Sequence, residues 1–94
     1  MNELDIERSK INDIDKKMLD LFVERMASSR KIGLYKQKYN LNVFDASREE
    51  EIIKSKLSLL EDDELKEYYL EFIKDVMDIS KKYQTDILKD DKLK

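Results

Sequence analysis

The chain has 94 residues, 44% of them charged, with 19 Lys+Arg against 22 Asp+Glu and a net charge of −3. That is the size of one small domain or one subunit, and the mild acidity argues against a nucleic-acid partner, which calls for a basic face. Cysteine and histidine are both absent, which excludes disulfides, thiol catalysis, the usual His/Cys zinc sites and any Ser-His-Asp triad.

Zero prolines and one glycine leave no punctuation for hairpins, while helix formers dominate, so the fold class is all-α. The first helix is expected from about Leu4 to Tyr39. Along it Ile11, Ile14, Met18, Leu21, Arg25, Ser28, Ile32 and Tyr35 recur at steps of three and four, an apolar seam interrupted by one arginine and one serine. A rod of that length spans ~54 Å, whereas a compact domain of this size has a radius of gyration of only ~12–13 Å. A second copy of the chain is the economical cover for the overhang, so an intertwined homodimer is expected. Residues 40–46 break the period, with Val43 and Phe44 as expected anchors. Ser47 and Glu50 have capping-box spacing for a second helix over 47–60, carrying Ile52, Ile53, Leu57 and Leu60 inward. The acidic turn Glu61-Asp62-Asp63 precedes a third helix over 64–88. Its stripe runs Leu65, Tyr69, Phe72, Ile73, Val76, Met77, then Ser80, Gln84 and Ile87. The charged tail Lys89–Lys94 is expected to fray, and one domain, 1–94, accounts for the chain.

Polar residues stand where periodicity asks for hydrophobes. Arg25 lies on the seam of the first helix, and Lys36, three turns on, falls within ~20° of the same face. Arg48 and Glu49 stand one turn before Ile52 and Ile53, and Ser80 and Gln84 continue the line of Val76 and Met77. Each has a plain reading: a snorkelling arginine, a lysine complementing a helix C-terminus, first-turn charges, a polar pair between helices. Together they leave surplus positive charge in the interior, which is costly unless a small anion neutralises it. Arg8 lies ~100° around and ~25 Å along the helix from Arg25, too far for one ligand. In an antiparallel dimer, Arg8 of one chain reaches the pocket around Arg25 of the other; its plain reading is an exposed arginine near a helix end.

The ordered set Arg8-x2-Ile11-x2-Ile14-Asp15, Glu24-Arg25, Ile32-Gly33-x2-Lys36, Val43-Phe44-Asp45-x2-Arg48-Glu49 and Ser80-x3-Gln84 resembles the all-α chorismate mutases. The likeness spans about Leu4 to Leu88 with no departure at any polar position. It implies three helices per subunit, long first helices crossing in an intertwined dimer with two equivalent pockets, and the Claisen rearrangement of chorismate to prephenate. Such a [3,3] shift needs no nucleophile, metal or cofactor, which suits a chain without histidine or cysteine. It needs confinement of a dianion in its chair-like conformer, and donors aimed at the ether oxygen where negative charge grows.

By the same resemblance, Arg25 and the partner chain's Arg8 grip the two carboxylates, and Ser80 adds a hydrogen bond to one. Lys36 contacts a carboxylate and, with the Gln84 amide, donates to the ether oxygen. Glu49 accepts from the ring hydroxyl with help from the Asp45 backbone, Arg48 borders the pocket, and Ile32 forms an apolar wall; Gly33, one turn before Lys36, either gives room by its missing side chain or is merely tolerated there.

Two rivals stand beside this reading. An isochorismate-pyruvate lyase shares the fold and much of the pocket, but Glu49 and the Asp45 segment suit a ring hydroxyl at the chorismate position. A non-catalytic helical dimerisation module explains the long seam and leaves Arg25, Lys36 and Gln84 unexplained. The acidic, polar start is no signal peptide and no apolar run approaches ~18 residues, so the expected address is cytoplasmic, without membrane contact. The expected partners are the substrate, a second copy, and any enzyme of the same pathway, which would bind non-covalently.

Overall fold

The computed structural model describes residues 2–89, and every element among them is helical. Helix α1 spans Glu3–Lys38, α2 Ala46–Leu59 and α3 Lys66–Lys89, the last preceded by a single 3₁₀ turn, Asp63–Leu65. Lys89 closes α3, so of the tail expected to fray only this residue is described; the rest lies outside the described residues.

Each start has a side-chain cap that satisfies an orphan amide. The Asn2 side chain accepts from the Asp5 N–H at 2.9 Å, with Glu3 and Asp5 in the first turn against the positive end of the dipole. Asp62 accepts from Glu64 N–H at 3.0 Å to start the 3₁₀ turn. The cap of α2 corrects an expectation. It is Asp45, accepting from the Arg48 N–H at 3.0 Å, and the helix begins one residue before Ser47, which therefore caps nothing. An aspartate three residues before a free amide serves where serine was expected. Helix α1 stops at a Schellman motif: the Leu41 N–H reaches the Lys36 carbonyl at 2.7 Å and the Asn40 N–H that of Gln37 at 3.2 Å. Asn40 takes the left-handed conformation this needs (φ 54°), the usual substitute where glycine is absent.

Helix α1 packs on α3 through its second half only. Its buried residues there are small, Ser29 (2% exposed) and Gly33, while α3 buries two apolar residues, Ile73 and Met77, and one polar one, Gln84 (6% exposed). A Cβ added at Gly33 would stand 3.2 Å from Gln84 Cγ and 3.4 Å from its Cα, so the missing side chain sets how closely the two helices approach. Helix α2 covers α3 with Ile52, Ile53 and Leu57, all half-buried. Two positions of the expected third-helix stripe, Leu65 at the end of the 3₁₀ turn and Phe72 on α3, are exposed, as is Phe44, one of the two expected anchors; Val43 is half-buried.

The first half of α1 stands clear of the other helices. Ile11 is 54% and Leu21 62% exposed, and Ile14 and Met18 between them are about half exposed. The described chain extends 54 × 30 × 14 Å with a radius of gyration of 16.9 Å, well above the ~12–13 Å of a compact chain this long.

Candidate active site

A cavity of ≈ 270 Å³ opens between the second half of α1, residues 43–45, the first turns of α2 and the second half of α3. Eight residues singled out in the sequence line it: Arg25, Ile32, Lys36, Asp45, Arg48, Glu49, Ser80 and Gln84. Arg8 is the exception, exposed near the start of α1 and outside the cavity.

Helix geometry explains how the set converges. Arg25, Ser29, Ile32 and Lys36 repeat at steps of four, three and four, one stripe of α1. Met77, Ser80, Lys81 and Gln84 form the facing stripe of α3. The Schellman turn folds the chain back so that the Lys36 ammonium donates to the Val43 carbonyl at 2.8 Å, pinning residues 43–45 beside its own helix. One ammonium hydrogen is thereby used and two remain.

Four cations (Arg25, Lys36, Arg48, Lys81) and two carboxylates (Asp45, Glu49) border the space, a surplus of two positive charges. Arg48 bonds outward to Glu51 at 2.8 Å, in an exposed pair. Arg25 is half-buried and, among the described residues, pairs with no carboxylate. A half-buried cation of this kind is stabilised by an anion in the cavity.

The back wall is a polar cluster. Ser29 and Ser80 share a hydrogen bond of 2.6 Å between hydroxyls, and Gln84 Nε2 donates to Ser29 Oγ at 3.1 Å. The Gln84 Oε1 atom is buried with no partner among the described residues, a cost of ~1–3 kcal/mol. The amide's second N–H is held only by a 3.5 Å contact with Ser80 Oγ, long enough to exchange for a better acceptor. The wall therefore offers donors: a carboxamide N–H and a hydroxyl.

Two residues of this wall carry no clear signal in the sequence. The periodicity puts Ser28 on the seam, yet Ser29 is the buried one; four residues after Arg25 and four before Gly33, it shares their face. Lys81 blends with the surface charges, although it stands four residues after Met77 and three before Gln84. Its Nζ lies 3.0 Å from Glu49 Oε2, and that carboxylate raises the Lys81 ammonium above the ordinary lysine value of 10.5, with Asp78 adding to the rise and burial opposing it.

Among the described residues no helix is long and apolar enough to cross a membrane. No curated protein and no solved structure matches the chain at a significant level. The model of one family, chorismate mutase type II, matches residues 7–85, a span that holds all the cavity's lining residues and most of all three helices. An all-helical chain with a cation-rich cavity, walled by amide and hydroxyl donors and matched over that span, belongs to the chorismate mutase type II family and is an isomerase of that kind.

Proposed function

We propose that this cavity is where the chorismate-to-prephenate rearrangement takes place, and that the functional unit is an intertwined homodimer with Arg8 donated across its interface. The observation that carries the site is the half-buried Arg25, which has no carboxylate partner among the described residues and lines one cavity with the donors Gln84 and Ser80. Arg48 and Lys81 have carboxylate partners, Glu51 for the first and Glu49 and Asp78 for the second, and a dicarboxylate supplies two negative charges to Arg25 and Lys36, which have none among the described residues.

In this reading Arg25 holds one carboxylate as a planar fork, and Ser80 donates its hydroxyl to a carboxylate. Lys36 spends its two remaining hydrogens on the substrate, one on a carboxylate and one on the ether oxygen. The Gln84 amide, braced by Ser29, gives its second N–H to the same ether oxygen. As the C–O bond lengthens, negative charge accumulates on that oxygen, and two fixed donors stabilise it more than they stabilise the ground state. Ile32 and Ile52 close an apolar side of the cavity that favours the compact conformer. Glu49 accepts from the ring hydroxyl, which favours the mutase over a lyase acting on isochorismate. The cluster of cavity cations is without purpose in a plain dimerisation module.

The dimer is supported by the apolar face of the first half of α1, where Ile11, Ile14, Met18 and Leu21 remain exposed in the single chain. Burying such side chains stabilises by about 1.5–3 kcal/mol each. Arg8, on the same free half of the helix, is then carried to the partner's cavity. Mixing the inactive variants Arg8→Ala and Arg25→Ala tests this arrangement. A heterodimer has one cavity with both arginines and one with neither, so the mixture is expected to regain up to about a quarter of wild-type activity if subunits exchange statistically. A mixture that exchanges subunits yet stays inactive contradicts the shared site.

A further inference from the structure

Lys81 joins three parts of the site at one atom. Its Nζ contacts Glu49 Oε2 on α2 at 3.0 Å and Asp78 Oδ1 on its own helix at 3.2 Å, and it lies 4.9 Å from the centre of the Phe44 ring. All other ion pairs among the described residues link side chains three or four apart along the chain. The Lys81–Glu49 pair is the one that ties two helices together, and it does so on the cavity wall, with side chains 29% and 23% exposed.

Glu49 sits one turn into α2, its backbone N–H bonded to the Asp45 carbonyl at 3.1 Å. Nothing else among the described residues bonds its carboxylate. Lys81 takes Oε2, and a carboxylate accepts at both oxygens, so Oε1 is left for a hydroxyl in the cavity. The same ammonium lies over Phe44, the residue before the Asp45 cap, and so steadies the approach to α2 as well as its first turn.

We propose that Lys81 is a positioning residue that holds the Glu49 carboxylate in register for the substrate's ring hydroxyl. The inference rests on the reading of the cavity given above. Lys81 contacts the reacting groups only through Glu49, and its charge offsets that of Glu49 beside a dianionic ligand. An unpaired Glu49 would swing between rotamers and oppose the substrate's carboxylates.

The test is a double-mutant cycle on chorismate turnover, using wild type, Lys81→Met, Glu49→Gln and the double variant, with Lys81→Arg as the conservative control. Methionine keeps an unbranched apolar side chain of similar reach and removes the charge. Lys81→Met is expected to lower kcat/KM by about five- to tenfold, a size suited to a partly exposed pair. Lys81→Arg is expected to restore most of that loss. In the Glu49→Gln background Lys81→Met should cost less than about twofold, because the group it positions is gone. Equal losses in both backgrounds overturn the inference, as does a Lys81→Met variant of wild-type kcat/KM. A fall in folding midpoint that tracks the activity loss and persists in the Glu49→Gln background also overturns it, assigning Lys81 to stability alone. A wild-type protein that does not turn over chorismate brings down the function reading and this inference with it; with an active wild type, the cycle reports on Lys81 alone.

Discussion

Gly33→Ala sets helix propensity against packing at a single atom. Alanine is favoured over glycine inside a helix by about 1 kcal/mol, so an open site would be stabilised by that amount. The site is not open: the new methyl would lie 3.2 Å from Gln84 Cγ, 3.3 Å from its Cβ and 3.4 Å from its Cα. Carbon atoms prefer about 3.5–4.0 Å, so Gln84 or α3 must retreat by a few tenths of an ångström. Cγ can turn about the Cα–Cβ bond, but Cβ and Cα move only with the backbone of α3, so rotation of the side chain alone does not relieve the contact. Overpacking of this kind costs about 1–3 kcal/mol, which outweighs the propensity gain and leaves a net loss of about 0–2 kcal/mol. Thermal unfolding should therefore show a midpoint lowered by up to about 10 °C. Activity is expected to fall further than stability. If Gln84 serves the ether oxygen as proposed, the retreat moves this donor, braced by Ser29, away from it, and as misplacement by 1 Å costs about 100-fold, a few tenths should lower kcat by about four- to fivefold. A Gly33→Ala protein more stable by the full propensity gain, with unchanged kcat, would refute the claim that Gly33 sets the Gln84 position.

Other outcomes follow from the same geometry. Gln84→Glu replaces a donor that works at any pH with a carboxyl that donates only when protonated, so its activity should be confined to acid, while the wild type holds its rate between about pH 6 and 8; matching profiles would remove Gln84 from the ether oxygen. Lys36→Ala deletes the tie to Val43 and the donor proposed for the same oxygen, and kcat should fall by at least about 100-fold; a near-wild-type rate would take Lys36 out of the mechanism. The ammonium of Lys81 is raised above 10.5, so the stability it contributes is fully present below that pH and is lost as pH rises through the raised value. The difference in unfolding midpoint between wild type and Lys81→Met should hold steady through neutral and mildly alkaline solution and close only in strong alkali. A difference that closes near neutrality would mean that Lys81 is not paired as described.

Much of this architecture is legible in the sequence because helices announce themselves locally. Absence of proline, the period of three and four, and the acidic turn at Glu61-Asp62-Asp63 place all three helices to within about two residues. The second cap is not legible in the same way, because Asp45 and Ser47 are both competent acceptors and only the backbone path decides which one faces a free amide. The polar positions of the cavity stand out because an arginine on an apolar stripe, or a glutamine continuing one, breaks its own helix's pattern. Lys81 and Ser29 break nothing. A lysine in a chain rich in lysine, or a serine next to another serine, becomes distinctive only when a second helix sets Glu49 or Gln84 beside it. The exposed half of α1 is legible as an overhang from length alone, since a rod of that length cannot fit inside the globule the remaining residues would make.

The most direct test of the central claim is to incubate the purified protein with chorismate and resolve prephenate from pyruvate plus a benzoate. The account predicts rapid prephenate formation by the wild type and its loss in Arg25→Ala, whose fold and helix content should be unchanged. A folded protein that forms no prephenate, or one that releases pyruvate instead, would contradict it.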